Sequence, residues 1–254
     1  MKRHSLINFS ITLGSYLTIL EKIIDLSRYK ISSIIYVANV HMYIEAFKNK
    51  NFLEIVNSAD IVLPDGKPLS WGLKLLYGIK QDRIAGMDIL PQLLYELSQH
   101  NLSVFFYGGT QNMLDTTGDY LKCHLPQLKI AGSYSPPFHS LTDLEEKDII
   151  HKINNSLPAI VFVILGCPKQ EKWMASMKGK INAVMIGIGG ALPVMIGSQK
   201  RAPKWMQNSG LEWFYRFKQE PRRLFKRYLI TNTLFICILL KEYIKIKIVT
   251  TLKL

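Results

Sequence analysis

Two segments of the chain are apolar at nearly every position, AIVFVILG at 159–166 and AVMIGIGG at 183–190. A strand with one face in water alternates apolar and polar residues, whereas these runs carry apolar residues on both faces. Burial of both faces is typical of inner strands in a parallel sheet that is covered by helices on each side. The two runs therefore favour an α/β fold.

Further apolar runs have the length and composition of strands, and stretches with helical periodicity lie between them. The pattern changes from a period of two to about 3.6 residues and back, which predicts βαβ units. We expect a doubly wound, largely parallel, Rossmann-like α/β sheet. The predicted strands are 33–37, 61–63, 103–107, 129–131, 160–165 and 183–188, and the predicted helices include 43–47, 69–77, 89–97, 112–123, 144–154 and 170–177.

Positive charge is concentrated at the end of the chain, which has 254 residues and a formal net charge of +13. Residues 200–254 contain 13 Lys and Arg against three acids, so they contribute +10. Such a basic end meets an anionic partner, either lipid head groups or nucleic acid. We therefore divide the chain into an α/β core, 1–199, and a basic, amphipathic helical appendage, 200–254.

The appendage alternates aromatic and aliphatic residues with cations, which suits an interfacial helix better than a nucleic-acid module. Its apolar run, 229–240, is much shorter than the ~20 residues of a membrane-spanning helix. This run is expected either to lie at a membrane surface or to pack on the core. At the other end of the chain, Asn8, Ser10 and Thr12 interrupt the apolar stretch. A secretory signal is therefore not expected, and we predict a cytoplasmic protein.

Four clusters of glycine and polar residues follow predicted strands, at 63–68, 107–110, 165–171 and 187–190. Ligands of open α/β sheets bind at such strand ends, where glycine lets backbone N–H groups approach a phosphate. Each cluster alone is equally consistent with a plain turn. The chain has no GxxxxGK[ST] or GxGxxG sequence, which disfavours a P-loop NTPase and a nucleotide-dependent oxidoreductase or epimerase.

Asp65 is the strongest candidate for a catalytic residue. It follows the predicted strand 61–63 and lies between Pro64 and Gly66, which restrict the backbone. A carboxylate held among apolar neighbours has its pKa raised toward the range useful for a general base. The alternative is a Pro-Asp-Gly turn whose aspartate bonds its own backbone. The pattern alone leaves both open.

A series of motifs extends over nearly the whole chain. They are YVANVHMY (36–43), ADIVLPDGKPLSWG (59–72), RIAGMDILP (83–91), FFYGGTQ (105–111), GSYSPPF (132–138), LGCPKQEKW (165–173), GIGGALPVMIGSQKRAP (187–203) and LEWFYRFKQEPRRLFKRYL (211–229). In this order the motifs resemble the WecG/TagA/CpsF family of glycosyltransferases, glycosyltransferase family 26. The resemblance implies transfer of N-acetylmannosamine, its uronic acid or a related hexose from a UDP-sugar to a polyprenyl-diphosphate-linked acceptor in cell-surface polysaccharide synthesis.

The resemblance also implies roles for individual residues. Asp65 would be the general base of an inverting displacement, and Gln170 would bond sugar or phosphate, while Glu171 would be structural. Asn39 would line the pocket or only cap a strand end, and Arg83 would bind a diphosphate or only lie at the surface. The substrate-binding candidates are Asn39, Arg83, Gly108, Gly109, Thr110, Tyr134, Gly166, Gln170, Gly187, Gly189 and Gly190.

In the appendage, the resemblance implies contact with the lipid diphosphate or the membrane by Arg216, Arg223, Lys226 and Arg227. Spacings of seven and three residues predict that the first three share one helical face. The expected partners are thus the UDP-sugar, the lipid-linked acceptor and an anionic membrane surface at the cytoplasmic face, without nucleic acid; a homo-oligomer is left open. Many family members have an aromatic residue and Asp where this chain has Leu192 and Pro193, so the donor sugar is not assigned.

No cofactor and no metal ion are expected. The chain has no DxD sequence, its acids show no metal-ligand spacing, and its six histidines are scattered. His41 lies nearest a motif and is interpreted as structural. Cationic side chains and helix N-termini would then stabilise the departing UDP.

We therefore predict that transfer continues in the presence of excess EDTA. No acidic pair in the motifs is placed to hold Mg²⁺ or Mn²⁺ against a diphosphate. The initial rate, measured as UDP release with and without the chelator, should be nearly unchanged. A complete loss of rate that added Mg²⁺ or Mn²⁺ restores would contradict the prediction.

Overall fold

The computed structural model describes residues 1–137, 139 and 141–251, without the side chains of residues 250 and 251. Phe138, the last residue of the segment 132–138, and residues 252–254 of the tail lie outside the described residues.

A six-stranded parallel sheet forms the centre of the fold, with strand order β4-β3-β8-β7-β5-β6. All six predicted strands are present, and the doubly wound α/β prediction is confirmed. A separate antiparallel hairpin, β1–β2, precedes them. The strands are β1 (Arg3–Leu6), β2 (Phe9–Thr12), β3 (Ser33–Ala38), β4 (Ile61–Pro64), β5 (Ser103–Gly108), β6 (Lys129–Tyr134), β7 (Ile160–Ile164) and β8 (Val184–Gly187).

Helices cover both faces of this sheet, and alternate strand residues enter two separate cores. In β7, Val161 and Val163 belong to one core, whereas Ile160, Phe162 and Ile164 belong to the other. The helices are α1 (Tyr16–Arg28), α2 (Val40–Lys48), α3 (Lys50–Asn57), α4 (Lys67–Tyr77), α5 (Gly86–Gln99), α6 (Gln111–His124), α7 (Asp143–Asn155), α8 (Lys169–Met177), α9 (Ala191–Met195), α10 (Lys204–Asn208), α11 (Glu212–Gln219) and α12 (Pro221–Thr251).

The hairpin was not predicted. Its Leu6 and Ile11 side chains are fully buried, and the Val62 N–H donates to Thr12 Oγ1 at 2.9 Å, which ties the hairpin to β4. Its turn places Ile7 at a φ of 62°, a conformation that β-branched residues rarely adopt. Asn8 is the one common turn residue here, and the sequence gives no sign that Ile7 adopts this conformation.

The basic appendage is helical, as predicted, but it breaks where the sequence spacing predicted one helix face. α11 ends before Glu220, and Pro221 opens α12. The proline ring clashes with the preceding residue and disfavours α-helical backbone angles there, so helices tend to end before a proline. Proline itself is favoured in the first turn of a helix. Arg216 therefore lies on α11, whereas Arg223 and Lys226 lie on α12. The prediction that these three side chains share one helical face is wrong.

One face of α12 packs on the core. The Phe235 ring lies perpendicular to the Tyr43 ring of α2, with centroids 5.0 Å apart. Leu239 packs against α4 at Gly72, where an added Cβ would approach the Leu239 side chain to 3.2 Å. Among the described residues, no helix combines the length and hydropathy needed to cross a membrane. Apolar side chains on the rest of α12 are exposed, including Leu229, Ile236, Leu240, Ile244 and Ile248.

This packing predicts that two adjacent leucines of α12 differ strongly in their contribution to stability. Leu239 is 9% exposed and Leu240 is 52% exposed. Leu239→Ala should lower the free energy of unfolding by about 2–5 kcal/mol because it leaves a cavity. Leu240→Ala, the matched control, should change it by less than about 0.5 kcal/mol. Denaturant unfolding measures both, and equal effects would mean that α12 does not dock on the core.

Candidate active site

A cleft of 1580 Å³ opens at the carboxyl edge of the parallel sheet. The segments that follow β4, β5, β7 and β8 all line it, so the four glycine-containing clusters meet in one place. Helix N-termini also face it, because α4 and α8 begin within two of these clusters and α6 begins directly after a third. The predicted site residues in its lining are Asn39, Asp65, Arg83, Gly109, Thr110, Gly166, Gln170, Gly187, Gly189, Gly190, Arg216, Arg223 and Arg227.

Asp65 lies in this cleft just beyond β4. Its backbone N–H donates to the Ala38 carbonyl of β3 at 2.6 Å, which continues the strand pairing by one residue. Gly66 follows with a φ of 91°, which only glycine adopts readily, and α4 starts at Lys67. The Pro-Asp-Gly sequence thus turns the chain sharply and leaves the Asp65 side chain at the cleft.

The surroundings of Asp65 raise the pKa of its carboxyl to about 7. Burial is the largest cause, and the Glu212 carboxylate adds to it, whereas Arg216 and Arg83 act in the opposite direction. The Asp65 carboxylate makes no hydrogen bond or ion pair with another described side chain. The pKa of Asp65 therefore lies near neutral pH, the range that suits a general base.

Arg83 connects the core to the appendage beside Asp65. Its Nη1 lies 2.8 Å from Glu212 Oε2 on α11, and its Nη2 lies 3.5 Å from Asp88 Oδ2 on α5. Asp88 also pairs with Arg201. The Arg83 guanidinium is thus held between two carboxylates rather than exposed at the surface. Glu212 was not among the predicted site residues.

Gln170 is buried at the floor of the cleft. Its Oε1 accepts from the Gly166 N–H at 3.3 Å, and its Nε2 donates to Glu171 Oε1 at 2.7 Å. A Cβ on Gly187 would lie 2.8 Å from Gln170 Nε2, so a larger residue there would displace the Gln170 amide. Burial raises the pKa of Glu171, whose Oε2 has no hydrogen-bond partner among the described residues. Glu171 therefore supports Gln170 from below the cleft, in line with the structural role assigned to it.

The remaining polar positions include two helix caps. Asn39 Oδ1 accepts from the Met42 N–H at 3.2 Å, and Thr110 Oγ1 accepts from the Met113 N–H at 3.3 Å. Both residues also line the cleft, so capping and a place in the site coexist. His41 lines it too, and burial, aided by Arg227, lowers the pKa of its imidazole to about 4. It is neutral at physiological pH.

Three predicted residues are absent from the cleft lining. A Cβ on Gly108 would lie 2.6 Å from the Ile164 carbonyl oxygen, so this glycine permits close strand packing. The Tyr134 ring stacks on the Tyr107 ring, with centroids 6.2 Å apart. Lys226 is exposed on α12, and its neighbour Arg227 lines the cleft instead. Of the pair that departs from the family pattern, Leu192 is buried and Pro193 lines the cleft.

Cationic side chains outnumber acids in the cleft lining. Of its three acids, Glu212 pairs with Arg83 and Glu220 pairs with Arg223, which leaves Asp65. Arg216 donates to the Gly190 carbonyl at 2.9 Å. Within the described ranges, no three His, Cys, Asp or Glu side chains come together as metal ligands. The cleft therefore favours an anionic ligand. Its cations are Lys67, Arg83, Lys169, Lys200, Arg216, Arg223 and Arg227.

Comparison with known proteins gives consistent matches. Residues 4–248 match the family described as "Glycosyl transferase WecG/TagA/CpsF family". An N-acetylglucosaminyldiphosphoundecaprenol N-acetyl-beta-D-mannosaminyltransferase of Bacillus subtilis is 32% identical over 87% of this chain and 84% of its own. The enzyme of the same name from Bacillus spizizenii is 35% identical over 73% and 71%, and that from Staphylococcus aureus 28% over 74% and 72%.

The raised pKa of Asp65 predicts a pH-dependent cost to stability. Folding raises this pKa from 3.8 to about 7, so the stability contributed by the protonated carboxyl is lost as pH rises through this interval. Asn cannot ionise. The melting temperature of Asp65→Asn should therefore exceed that of the wild type by a margin that grows from about pH 4 to pH 7 and is constant above. A margin independent of pH would show that the carboxyl is not perturbed.

Proposed function

The chain belongs to the Glycosyl transferase WecG/TagA/CpsF family, and we propose that it transfers N-acetylmannosamine or a related hexose from a UDP-sugar to a polyprenyl-diphosphate-linked sugar. The observation that carries the proposal is the Asp65 carboxylate in a cleft whose other charges are mostly cationic. The relatives' names describe an acceptor of this kind. The product would serve the synthesis of a cell-surface polymer. Because the family is that of a glycosyltransferase, the oxidoreductase or epimerase alternative is not retained.

In the proposed reaction Asp65 is the general base. Its carboxylate accepts the proton of the acceptor hydroxyl, while the hydroxyl oxygen forms a bond to the anomeric carbon of the donor sugar. The bond from that carbon to the UDP oxygen breaks, and UDP leaves with the electron pair. One displacement from the opposite face inverts the anomeric configuration. A single carboxylate is sufficient for this step, and the pKa of about 7 suits it.

The cleft cations would stabilise the two diphosphates of the reaction. Charge develops on the departing UDP, and fixed cations and helix N-termini stabilise such charge without reorganisation. The segments before α6 and α8 supply backbone N–H groups, and Arg216 is held close to the backbone of Gly190. Arg223 and Arg227 line the cleft from α12 and would meet the acceptor diphosphate.

We further propose peripheral association with the cytoplasmic membrane face. The acceptor of the proposed reaction is anchored in the membrane by its lipid. Exposed apolar residues, including Phe225, Leu229 and Leu240, lie on α12 among Lys and Arg side chains. Such a surface binds an anionic interface by apolar burial and by charge.

We predict that Asp65→Asn reduces the turnover by ~10²–10⁴-fold, the usual effect of removing a general base. UDP binding and folding should be retained because Asn has nearly the same shape. Asp82→Asn, at an exposed position outside the cleft lining, is the matched control and should leave turnover unchanged. The assay is UDP release with a soluble sugar-diphosphate acceptor.

The same assay gives the pH dependence. Only ionised Asp65 accepts a proton, so kcat/KM should rise with pH and level off above about 7. If Asp65→Asn retains more than about a third of the wild-type turnover, Asp65 is not the base.

A further inference from the structure

One arm of the cleft runs along α12, and its lining changes from charged at one end to apolar at the other. We call the end lined by Phe235 and Leu239 the apolar arm. Arg227, Thr231, Phe235 and Leu239 recur every four residues, so they lie on one face of the helix, and all four line the cleft. The first is a cation and the last two are apolar and buried. The end of the cleft near Arg227 thus favours an anion, whereas the far end favours an apolar group.

A second cavity continues this direction between α4 and the later part of α12. It has a volume of 580 Å³. The Trp71 side chain, which is 53% exposed, lines both this groove and the catalytic cleft, so it forms the boundary between them. Most of the lining side chains are apolar, and lysines lie among them. The groove is lined by Trp71, Lys74, Leu75, Leu76, Tyr243, Ile246 and Lys247.

We propose that the apolar arm and the groove together bind the polyisoprenoid chain of the acceptor lipid, with its diphosphate at the Arg223 and Arg227 end. This inference rests on the proposed function. A polyprenyl diphosphate has a charged head joined to an apolar chain, and the face of α12 presents the same order of chemistry. From Arg227 to Ile246 the helix advances about 28 Å, enough for several isoprene units in sequence.

Burial in the groove removes apolar carbon from water, which is favourable and requires no hydrogen-bonding partners. Lys74 and Lys247 also lie at the groove, and their long aliphatic stems extend its apolar surface. The path also explains why Trp71 and Leu75 are left exposed on a helix whose other face is buried. A bound isoprenoid chain would cover them.

Leu75→Trp tests the proposal because it fills the groove without adding charge, at a position that is not itself part of the catalytic cleft lining. Leu17→Trp, at a leucine 66% exposed on α1, is the matched control. Each protein is assayed in one detergent with two acceptors that share the sugar diphosphate, one with a long polyprenyl chain and one with a single isoprene unit. Leu75→Glu is a second variant, which makes the groove polar.

We expect both Leu75 variants to raise the KM for the long-chain acceptor at least about tenfold, equivalent to losing the burial of about two methylene groups. The KM for the short acceptor and kcat for both should stay within about twofold of the wild type, as should all values for Leu17→Trp. Melting temperatures verify folding. An equal KM increase for both acceptors would show a merely structural effect and would overturn the proposal.

The alternative is that the membrane surface, and not an isoprenoid chain, covers the groove. The Leu75→Trp variant distinguishes these two cases. Tryptophan is favoured at membrane interfaces, so a surface contact predicts stronger flotation with acceptor-free anionic liposomes and an unchanged or lower KM for the long-chain acceptor. That result would overturn the groove assignment. Failure of the wild type to use either acceptor would instead refute the proposed function, and this inference with it.

Discussion

The six strands of the main sheet run in the same direction, so their carboxyl ends share one edge. Parallel neighbours cannot be joined by tight turns, and each connection must cross a face of the sheet. Helices therefore cover both faces, which explains the two separate cores, and they begin beside the shared edge. Asn39, Asp65 and Gln170 follow three different strands and meet only because of this alignment.

The appendage completes the electrostatics of that edge. Glu212 on α11 raises the proton affinity of Asp65 and at the same time holds Arg83, whose positive charge acts in the opposite direction. The balance between a like charge and a cation is set by how α11 docks on the core. The pKa of the Asp65 carboxyl, which belongs to the core, is therefore set in part by a residue that the core does not contain. Separation of core from appendage would change the chemistry as well as the shape of the cleft.

Structural features could be predicted from the sequence where a few neighbouring residues determine them. The apolar runs 159–166 and 183–190 predicted inner strands, and the polar residues after each strand predicted the cleft with Asp65 in it. The hairpin β1–β2 was missed because its two strands are short and its turn uses Ile7 at positive φ. Pro221 signals the start of a new helix, so the regular spacing of Arg216, Arg223 and Lys226 does not place them on one helical face.

Contacts between distant segments account for the rest of what was missed. Arg83 and Glu212 are 129 residues apart in the chain, and their pairing arises only when α11 docks beside the segment that precedes α5. Likewise, Arg227 rather than Lys226 faces the cleft because the docking of Phe235 and Leu239 sets the rotation of α12. Neither the partner of Arg83 nor the rotation of α12 is encoded by local spacing.

α12 is one uninterrupted helix of 31 residues that carries cleft cations near its start and core side chains further on. Each residue turns a helix by about 100°, so the two functions have a fixed rotational phase. One inserted or deleted residue between Arg227 and Phe235 would swing the buried aromatic ring a quarter turn into solvent, or the arginine away from the cleft. Changes of length in this region are therefore compatible with the fold only in nearly whole turns. Lineages that diverge from this sequence should therefore keep the spacing between Arg227 and Phe235 or change it by nearly whole turns.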